Sequence, residues 1–251
     1  YIVGGMPEAV AKWAETHSFE KVDRLQENIL QDYSSDFAKY APRADVPKLG
    51  WIWDSIPKQL AKDNHKFVFS HVKAGKRSSE LEDALEWLVD AGLVYRLELV
   101  RDPELPLSFC ADASFFKVYM SDVGLLRRKA GISHRVILED SELYKNFKGA
   151  FTENFVLNEL MKAGIHAYFW RSGNTAELDF LFEYEDRIIP VEAKADVHTR
   201  AKSFREYCRK YHPDTGFKFS MKNVGNHEVE GTKVYSVPLY LIWRVKRYLE
   251  N

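Results

Sequence analysis

The chain has 251 residues, of which 45% are hydrophobic and 29% are charged, and its formal net charge is −1. This balance excludes an intrinsically disordered chain and argues against a protein that coats nucleic acid through its overall charge. No apolar run of about 18 residues and no signal-like N-terminus occurs, so we expect neither membrane insertion nor export. Cys110 and Cys208 lack the spacing of a metal site, and we interpret them as buried free thiols in a reducing cytoplasm.

The charge is unevenly distributed along the chain. Residues 196–251 hold 11 Lys and Arg against 6 Asp and Glu. Such an excess suits a phosphate-bearing partner, although it also occurs on ordinary solvated faces. Because the sequence opens at Tyr1 without a Met, we expect it to be part of a longer protein.

The N-terminal part predicts several helices and then a hairpin. Pro7 suits a first helical turn, and apolar residues recur at helical spacing from Phe19 to Tyr33. Ser79 and Glu82 predict a capping box at the start of a later helix. Two stretches of period-two alternation, "LVYRLELV" and "FFKVYMSD", follow that helix. This order is typical of a winged helix, a module that binds DNA in some proteins and other proteins elsewhere, and both interpretations stay open.

The pattern changes at about residue 148. A helix is predicted first, then three strands, a basic amphipathic helix over 199–211 and further strand and helix segments at the end. The three strands are "AYFWRS", "AELDFLFEY" and "RIIPVEAKA". We therefore predict an α+β protein, with a helical and winged-helix-like region over 1–131 and an α/β core of order αβββαβ within 132–251.

Two carboxylates fall within the predicted strands, Asp179 in the second and Glu192 in the third. If these strands are neighbours, both side chains converge on one face of the sheet, because side chains alternate along a strand. Converging carboxylates repel unless a cation lies between them, and Mg²⁺ or Mn²⁺ prefers such oxygen ligands. Lys194 points the same way as Glu192 and would position a water for metal-assisted phosphodiester hydrolysis.

A third acid, Glu153, lies on the inward side of the helix that precedes these strands, and we expect it to support the site through water. The alternative for all four residues is structural, with Asp179 and Lys194 forming an ion pair and Glu153 stabilised by the helix dipole. Basic residues near the predicted site are candidates for contact with the DNA backbone. They are Arg171, Arg200, Lys202, Arg205, Arg209 and Lys210.

Asp179, Glu192 and Lys194 resemble the D…ExK signature of the PD-(D/E)xK phosphodiesterase superfamily, with Glu153 as its helical acid. The Pro that precedes the first acid in that signature is replaced by Leu178. Six motifs in order also resemble the C-terminal region of prokaryotic AAA-family ATPases that carry a nuclease-like domain of unknown function. They are "GGMPE", "DVGLL", "GAFTENFV", "YFWRS", "ELDF" and "PVEAK".

The resemblance implies an upstream ATPase module that would bind ATP, since this sequence contains no G-x4-G-K-[ST] loop of its own. It implies a cytoplasmic, metal-dependent nuclease-like module with DNA and the ATPase as partners and no membrane contact. The superfamily also includes proteins that keep the fold without cleavage. A non-catalytic regulatory module that binds DNA or a partner protein is therefore the alternative.

Overall fold

The computed structural model describes residues 2–62, 65–139, 145–173, 176–195 and 202–250. The chain divides into two compact units that interleave in sequence. The first unit comprises Tyr1–Arg96 and Lys117–Asn154, and the second comprises Leu97–Phe116 and Phe155–Asn251. The predicted α+β class is confirmed, because helices dominate the N-terminal part and the strands form a mixed sheet.

Within the described residues the elements are as follows. The α-helices are α1 (Pro7–Thr16), α2 (Phe19–Tyr40), α3 (Val46–Leu60), α4 (Ser78–Asp90), α5 (Leu107–Cys110), α6 (Val123–Lys129), α7 (His134–Leu138), α8 (Lys145–Lys162), α9 (Lys202–Tyr211) and α10 (Val245–Leu249). The strands are β1 (Val94–Val100), β2 (Ala111–Met120), β3 (Ala167–Ser172), β4 (Ala176–Tyr184), β5 (Arg187–Ala193), β6 (Thr215–Ser220), β7 (Gly225–Val229) and β8 (Thr232–Pro238). Short 3₁₀ helices span Phe69–His71 and Leu239–Arg244. None of these helices combines the length and apolar character needed to cross a membrane.

The start of α4 differs from the predicted capping box. The helix begins at Ser78, and the Glu80 carboxylate accepts a hydrogen bond from the backbone N–H of Arg77 at 3.0 Å. Glu82 instead accepts from Arg96 Nη1 at 2.8 Å. The acid that stabilises the first turn is therefore Glu80, two residues earlier than predicted. Ser78 and Ser79 both suit the start of a helix, so the sequence alone does not show at which residue the helix begins.

The helices of the predicted winged helix are followed by β1 and β2, which are neighbours in the sheet. The sheet order is β2-β1-β3-β4-β5-β6-β8-β7. In the second unit β1 also pairs in parallel with β3, with Leu99 opposite Phe169. The two strands of the hairpin are thus part of the same mixed sheet as the later strands, which the sequence pattern does not indicate.

The second unit follows the predicted succession of helix, three strands, helix and strand, from α8 to β6. β4 pairs in antiparallel fashion with β3 and β5, while β5, β6 and β8 run parallel. Helix α9 packs its buried residues Phe204, Tyr207 and Cys208 against this sheet. The pattern missed β7, a short exposed strand whose sequence "GNHEV" has no apolar alternation.

In the first unit a buried arginine holds the N-terminal segment. The Arg127 guanidinium donates to the backbone oxygens of Ile2 at 3.1 Å and Ile132 at 3.0 Å, and to Gln26 Oε1 at 2.7 Å. It also forms an ion pair with Asp23. Residue 2 is thereby attached to α6 by a fully buried cation whose donors are shared among four groups.

A second buried cluster of the first unit surrounds Glu153 on α8. Its Oε2 accepts from the Tyr119 hydroxyl at 2.6 Å and lies 3.1 Å from His65 Nδ1 and 3.4 Å from Lys117 Nζ. Burial alone would raise the pKa of Glu153. The charges of Lys117 and His65 and the hydrogen bonds from His65 and Tyr119 outweigh burial and hold its pKa well below the usual range.

Replacing Gly124 with Ala should destabilise the first unit, because the added Cβ would lie 2.5 Å from both the Val3 carbonyl oxygen and the Gln26 side-chain nitrogen. We expect a loss of about 1–3 kcal/mol in the free energy of unfolding, measured by urea denaturation. Gly50→Ala in α3 is the matched control, since its Cβ would meet nothing within 4 Å. It should be neutral or stabilising, and equal losses in both variants would contradict the account.

Glu153→Gln should destabilise the protein by about 3–5 kcal/mol at pH 7, because it removes a carboxylate charge beside the 1% exposed Lys117 ammonium. Adding Lys117→Met should restore part of the loss. Since the pKa of folded Glu153 lies below the unfolded value of about 4.5, the stabilisation is present above that pH and declines as pH falls below it. The gap between wild type and Glu153→Gln should therefore narrow in acid, as measured by denaturant midpoints from pH 7 to pH 3. A gap that widens would refute this assignment.

Candidate functional site

The site begins with the antiparallel pair β4 and β5. Phe180 lies opposite Val191 in the register, so the next position along it brings Asp179 opposite Glu192. Both are deep in the sheet, with 8% and 3% of their surface exposed. The backbone N–H of Ala193 donates to Asp179 Oδ2 at 2.7 Å, which fixes the aspartate against β5. The convergence predicted from the alternation of the strands is present.

An irregularity in β4 lies at Asp179. Tyr168 of β3 is opposite Leu181, but Trp170, two residues later, is opposite Leu178. Three steps along β4 therefore match two along β3, which places one extra residue at Asp179–Phe180. This β-bulge lets Leu178 and Leu181 share one core cluster although strict alternation would separate them. Bulges of this kind re-aim side chains, and this one occurs at the predicted catalytic acid.

Lys194 completes the predicted trio. Its Nζ lies 2.5 Å from Glu192 Oε1 and 3.6 Å from Asp179 Oδ2. Its side chain is 30% exposed, so water reaches the ammonium while the two carboxylates below it are almost fully covered. The three groups carry a net charge of −1 when all are ionised. Lys194 thus offsets part of the repulsion between the acids without cancelling it.

Glu192 is the residue of the trio whose buried carboxylate is incompletely hydrogen-bonded. Its Oε2 is buried and has no hydrogen-bond partner within the described part of the chain. Burial, and then the charge of Asp179, raise the pKa of Glu192 to about 8, while the nearby Lys194 lowers it. A buried carboxylate oxygen without a donor is unfavourable, and a cation placed against it would favour the ionised form.

Lys218 is a site residue that the sequence reasoning missed. It lies opposite Glu192 in the parallel register between β5 and β6. Its Nζ is 5.1 Å from the ring centre of Phe204, which places the Glu192–Lys218 pair on the face covered by α9. Burial lowers the pKa of Lys218, and the charge of Glu192 opposes that shift. The sequence feature that could have revealed Lys218 is a lysine between two phenylalanines of the core, in "GFKFSMK".

Glu153 belongs to the first unit, whereas Asp179, Glu192 and Lys194 belong to the second. Its Oε2 is occupied by Tyr119, His65 and Lys117 as described above. The expectation that Glu153 supports the metal site stays a prediction, and the contacts of its carboxylate account for its inward orientation on other grounds.

The proposed DNA-contact residues fall into two groups. Arg171 lies opposite Glu177 in the sheet, with its Nε 3.4 Å from Glu177 Oε2. Four cations of α9 are exposed, as the amphipathic pattern predicts, and Arg200 lies outside the described residues. The exposed cations are Lys202, Arg205, Arg209 and Lys210. Within the described residues, they form ion pairs with Glu230, 3.6 Å from Arg205, and with Asp102, 3.6 Å from Lys210.

The donor set fits a hard divalent cation that keeps several waters. Asp179 and Glu192 supply carboxylate oxygens, and the unpartnered Glu192 Oε2 is a ligand atom without a competing donor. Within the described ranges, no group of three or more His, Cys, Asp and Glu side chains has the geometry to hold a metal ion. Such a cation would therefore be held by two carboxylates, with water or substrate completing its coordination.

Comparisons with known proteins place these residues in recognised but functionally unassigned families. Residues 148–240, which include Asp179, Glu192 and Lys194, match the family described as Domain of unknown function (DUF4143). Two curated relatives are each 41% identical over 81 residues: Uncharacterized protein Mb2031c of Mycobacterium bovis and Uncharacterized protein Rv2008c of Mycobacterium tuberculosis. The match covers 31% of this chain and 17% of each relative. No solved structure matches the chain.

The N-terminal part gives the broader match. Residues 1–136 match the family described as Domain of unknown function (DUF8612), which is more than half of the 251 residues. The chain therefore belongs to the family Domain of unknown function (DUF8612).

Proposed function

We propose that the second unit carries a divalent-metal-dependent phosphodiesterase site that acts on DNA. The observation that supports it most strongly is the meeting of Asp179 and Glu192 across β4 and β5, with Lys194 within 3.6 Å of both and one glutamate oxygen left without a donor. Two converging carboxylates with a neighbouring lysine are suited to holding a hard cation and a water together.

In this proposal each residue has a separate role. Asp179 and Glu192 would hold Mg²⁺ or Mn²⁺, which would supply charge stabilisation and lower the pKa of a bound water. Asp179 is held in position by the Ala193 N–H, so its free rotation is restricted before any ligand binds. Lys194, partly exposed above the acids, would orient the attacking water and face the scissile phosphate.

The exposed cations of α9 would contact the DNA backbone. The apolar side of this helix packs on the sheet, so its cations face outward. Their two acidic neighbours lie 3.6 Å away at exposed positions and would compete only weakly with phosphate. Arg171 is less available, because Glu177 lies beside it on the adjacent strand.

The larger protein would be an AAA-family ATPase, with ATP bound in a module that precedes these residues. The six motifs that resemble the C-terminal region of such ATPases support this, as does the length of the curated relatives, of which the chain matches 17%. DNA processing would then be coupled to ATP hydrolysis in the upstream module.

A non-catalytic binding or regulatory module is the second candidate. It is favoured by the position of Lys194, which already lies 2.5 Å from Glu192 Oε1 and neutralises one acid. It is also favoured by the small donor set, since the described residues provide only two carboxylates at this point. In that case the trio would be a structural ion network and the exposed cations would serve binding alone.

Metal binding is the first prediction of the proposal. Titration calorimetry with Mn²⁺ should show binding to the wild type, and Asp179→Asn or Glu192→Gln should abolish it because each removes an anionic ligand. Glu177→Gln is the matched control, since it removes a carboxylate of the same strand that lies opposite Arg171 of β3. The control should bind Mn²⁺ like the wild type. Equal binding by all four proteins would place the metal elsewhere and reject the proposal.

Cleavage is the second prediction. Labelled single-stranded, duplex and branched DNA should be cut in Mg²⁺ or Mn²⁺ and not in EDTA. Lys194→Met should lower the rate by about 10²–10⁴-fold, because it removes the group that orients the water while preserving side-chain length. Mn²⁺ binding should persist in this variant. If neither protein cuts any DNA and the wild type binds no Mn²⁺, the trio is structural and the second candidate holds.

A further inference from the structure

Two large aromatic side chains are exposed near the end of the chain. Tyr240 is 71% exposed and Trp243 is 59% exposed. Both lie in the 3₁₀ helix Leu239–Arg244, whose Leu239 and Ile242 are buried. Residues three apart align along a 3₁₀ helix, so the two rings lie in line on its solvent side, about 6 Å apart along the axis.

The surroundings of these rings are cationic. The Arg244 guanidinium lies 4.6 Å from the centre of the Trp243 ring, and Arg247 is exposed on α10 just beyond it, whereas Lys246 lines a pocket with Glu183 and Glu185. Residues 239–249 include no Asp or Glu. Aromatic rings interleaved with cations are typical of surfaces that stack bases and contact phosphates.

This segment leaves the sheet at the same edge as the candidate site. The strands β5, β6 and β8 are parallel neighbours, and Phe219 of β6 lies opposite both Ala193 and Val237. Lys194 follows the end of β5, and Tyr240 follows the end of β8 by two residues. One strand separates β5 from β8, so their ends lie about 10 Å apart.

The neighbouring strand adds apolar surface at this edge. Met221 and Val224 are exposed just after β6, whose last residue, Ser220, lies opposite Pro238 of β8. Lys222 between them is also exposed. The apolar side chains at the ends of β6 and β8 are therefore accompanied by cations on both segments, which is the charge pattern that a polyanion with apolar faces would complement.

We propose that this surface, the aromatic edge formed by Tyr240, Trp243, Arg244 and Arg247, binds single-stranded DNA. The two rings stack on unpaired bases, and the two arginines contact the flanking phosphates. Duplex DNA is a poor ligand because its bases are already paired and stacked. The proposal builds on the proposed function, since it names the form of DNA that is brought to Asp179, Glu192 and Lys194.

Fluorescence anisotropy with the full chain tests the aromatic edge without metal. A labelled oligothymidylate of about 20 nucleotides and a duplex of equal length are titrated in EDTA. The wild type should bind the single strand more tightly, and Tyr240→Ala/Trp243→Ala should weaken that binding by about tenfold or more, as expected for the loss of two stacked bases. Trp243→Phe should retain most of the affinity because it keeps an aromatic face.

Phe109→Ala is the matched control. Phe109 is an exposed aromatic side chain on α5, which connects β1 and β2 and is distant in the sequence from the aromatic edge. It should bind like the wild type. Arg244→Gln/Arg247→Gln should reduce the dependence of affinity on salt, while the aromatic double variant should leave that dependence unchanged.

Three results would overturn the aromatic edge: no binding of oligothymidylate by the wild type, equal affinity for single strand and duplex, or unchanged binding by Tyr240→Ala/Trp243→Ala. Self-association of the wild type in sedimentation that this double variant abolishes, with unchanged DNA binding, would assign the surface to a second copy instead. Because these measurements contain no metal, they fail or succeed independently of the Mn²⁺ titration that tests Asp179 and Glu192.

Discussion

The chemistry of the second unit depends on the repulsion between two carboxylates buried across β4 and β5. Asp179 and Glu192 face each other at the centre of a sheet, where a charge is far less stable than in water. One lysine ammonium offsets part of this repulsion, while burial, and then the charge of Asp179, raise the pKa of Glu192. Apolar side chains would fill these two positions at lower free energy, because buried ion networks are often less stable than well-packed hydrophobic residues. An arrangement that is costly and incompletely satisfied is more readily explained by a ligand than by stability.

Glu153 and Glu192 show how the surroundings of a buried glutamate decide whether its ionised form is stabilised. Both side chains are nearly inaccessible to water, but their pKa values move in opposite directions. Glu153 has a hydroxyl, an imidazole and an ammonium around one oxygen, and its charge is stabilised. Glu192 has one ammonium on Oε1, a second carboxylate opposite, and no donor on Oε2 in the described part of the chain. The ionised form of Glu153 is therefore stabilised without a ligand, whereas Glu192 offers a cation an oxygen without a donor and a neighbouring carboxylate.

The sequence was sufficient for the convergence of Asp179 and Glu192 because a short local feature determines it. The hairpin turns at Glu185–Asp186, and the pair Tyr184–Arg187 sets a register that brings residue 179 opposite residue 192. Lys218 could not be found in the same way, because its position depends on the parallel pairing of β5 with β6 across an intervening helix. The partners of Glu153 lie 34 to 88 residues away in the sequence. The bulge in β4 leaves no pattern either, since it appears only against the partner strand β3.

Parallel strands that end at one edge of a sheet bring together residues that are distant in the sequence. In this protein they bring acidic and basic side chains to the same edge. The end of β5 supplies an anionic trio, while α9 and the segment after β8 supply exposed cations. A phosphate approaching the trio alone would be repelled by its net negative charge. If the proposed function holds, affinity for DNA would therefore come from the surrounding cations and aromatic rings, and a metal ion between the acids would be needed only when the phosphate reaches them. Separating binding from the reacting centre in this way would let the interactions at the trio be reserved for the transition state, where they would raise the rate rather than the affinity.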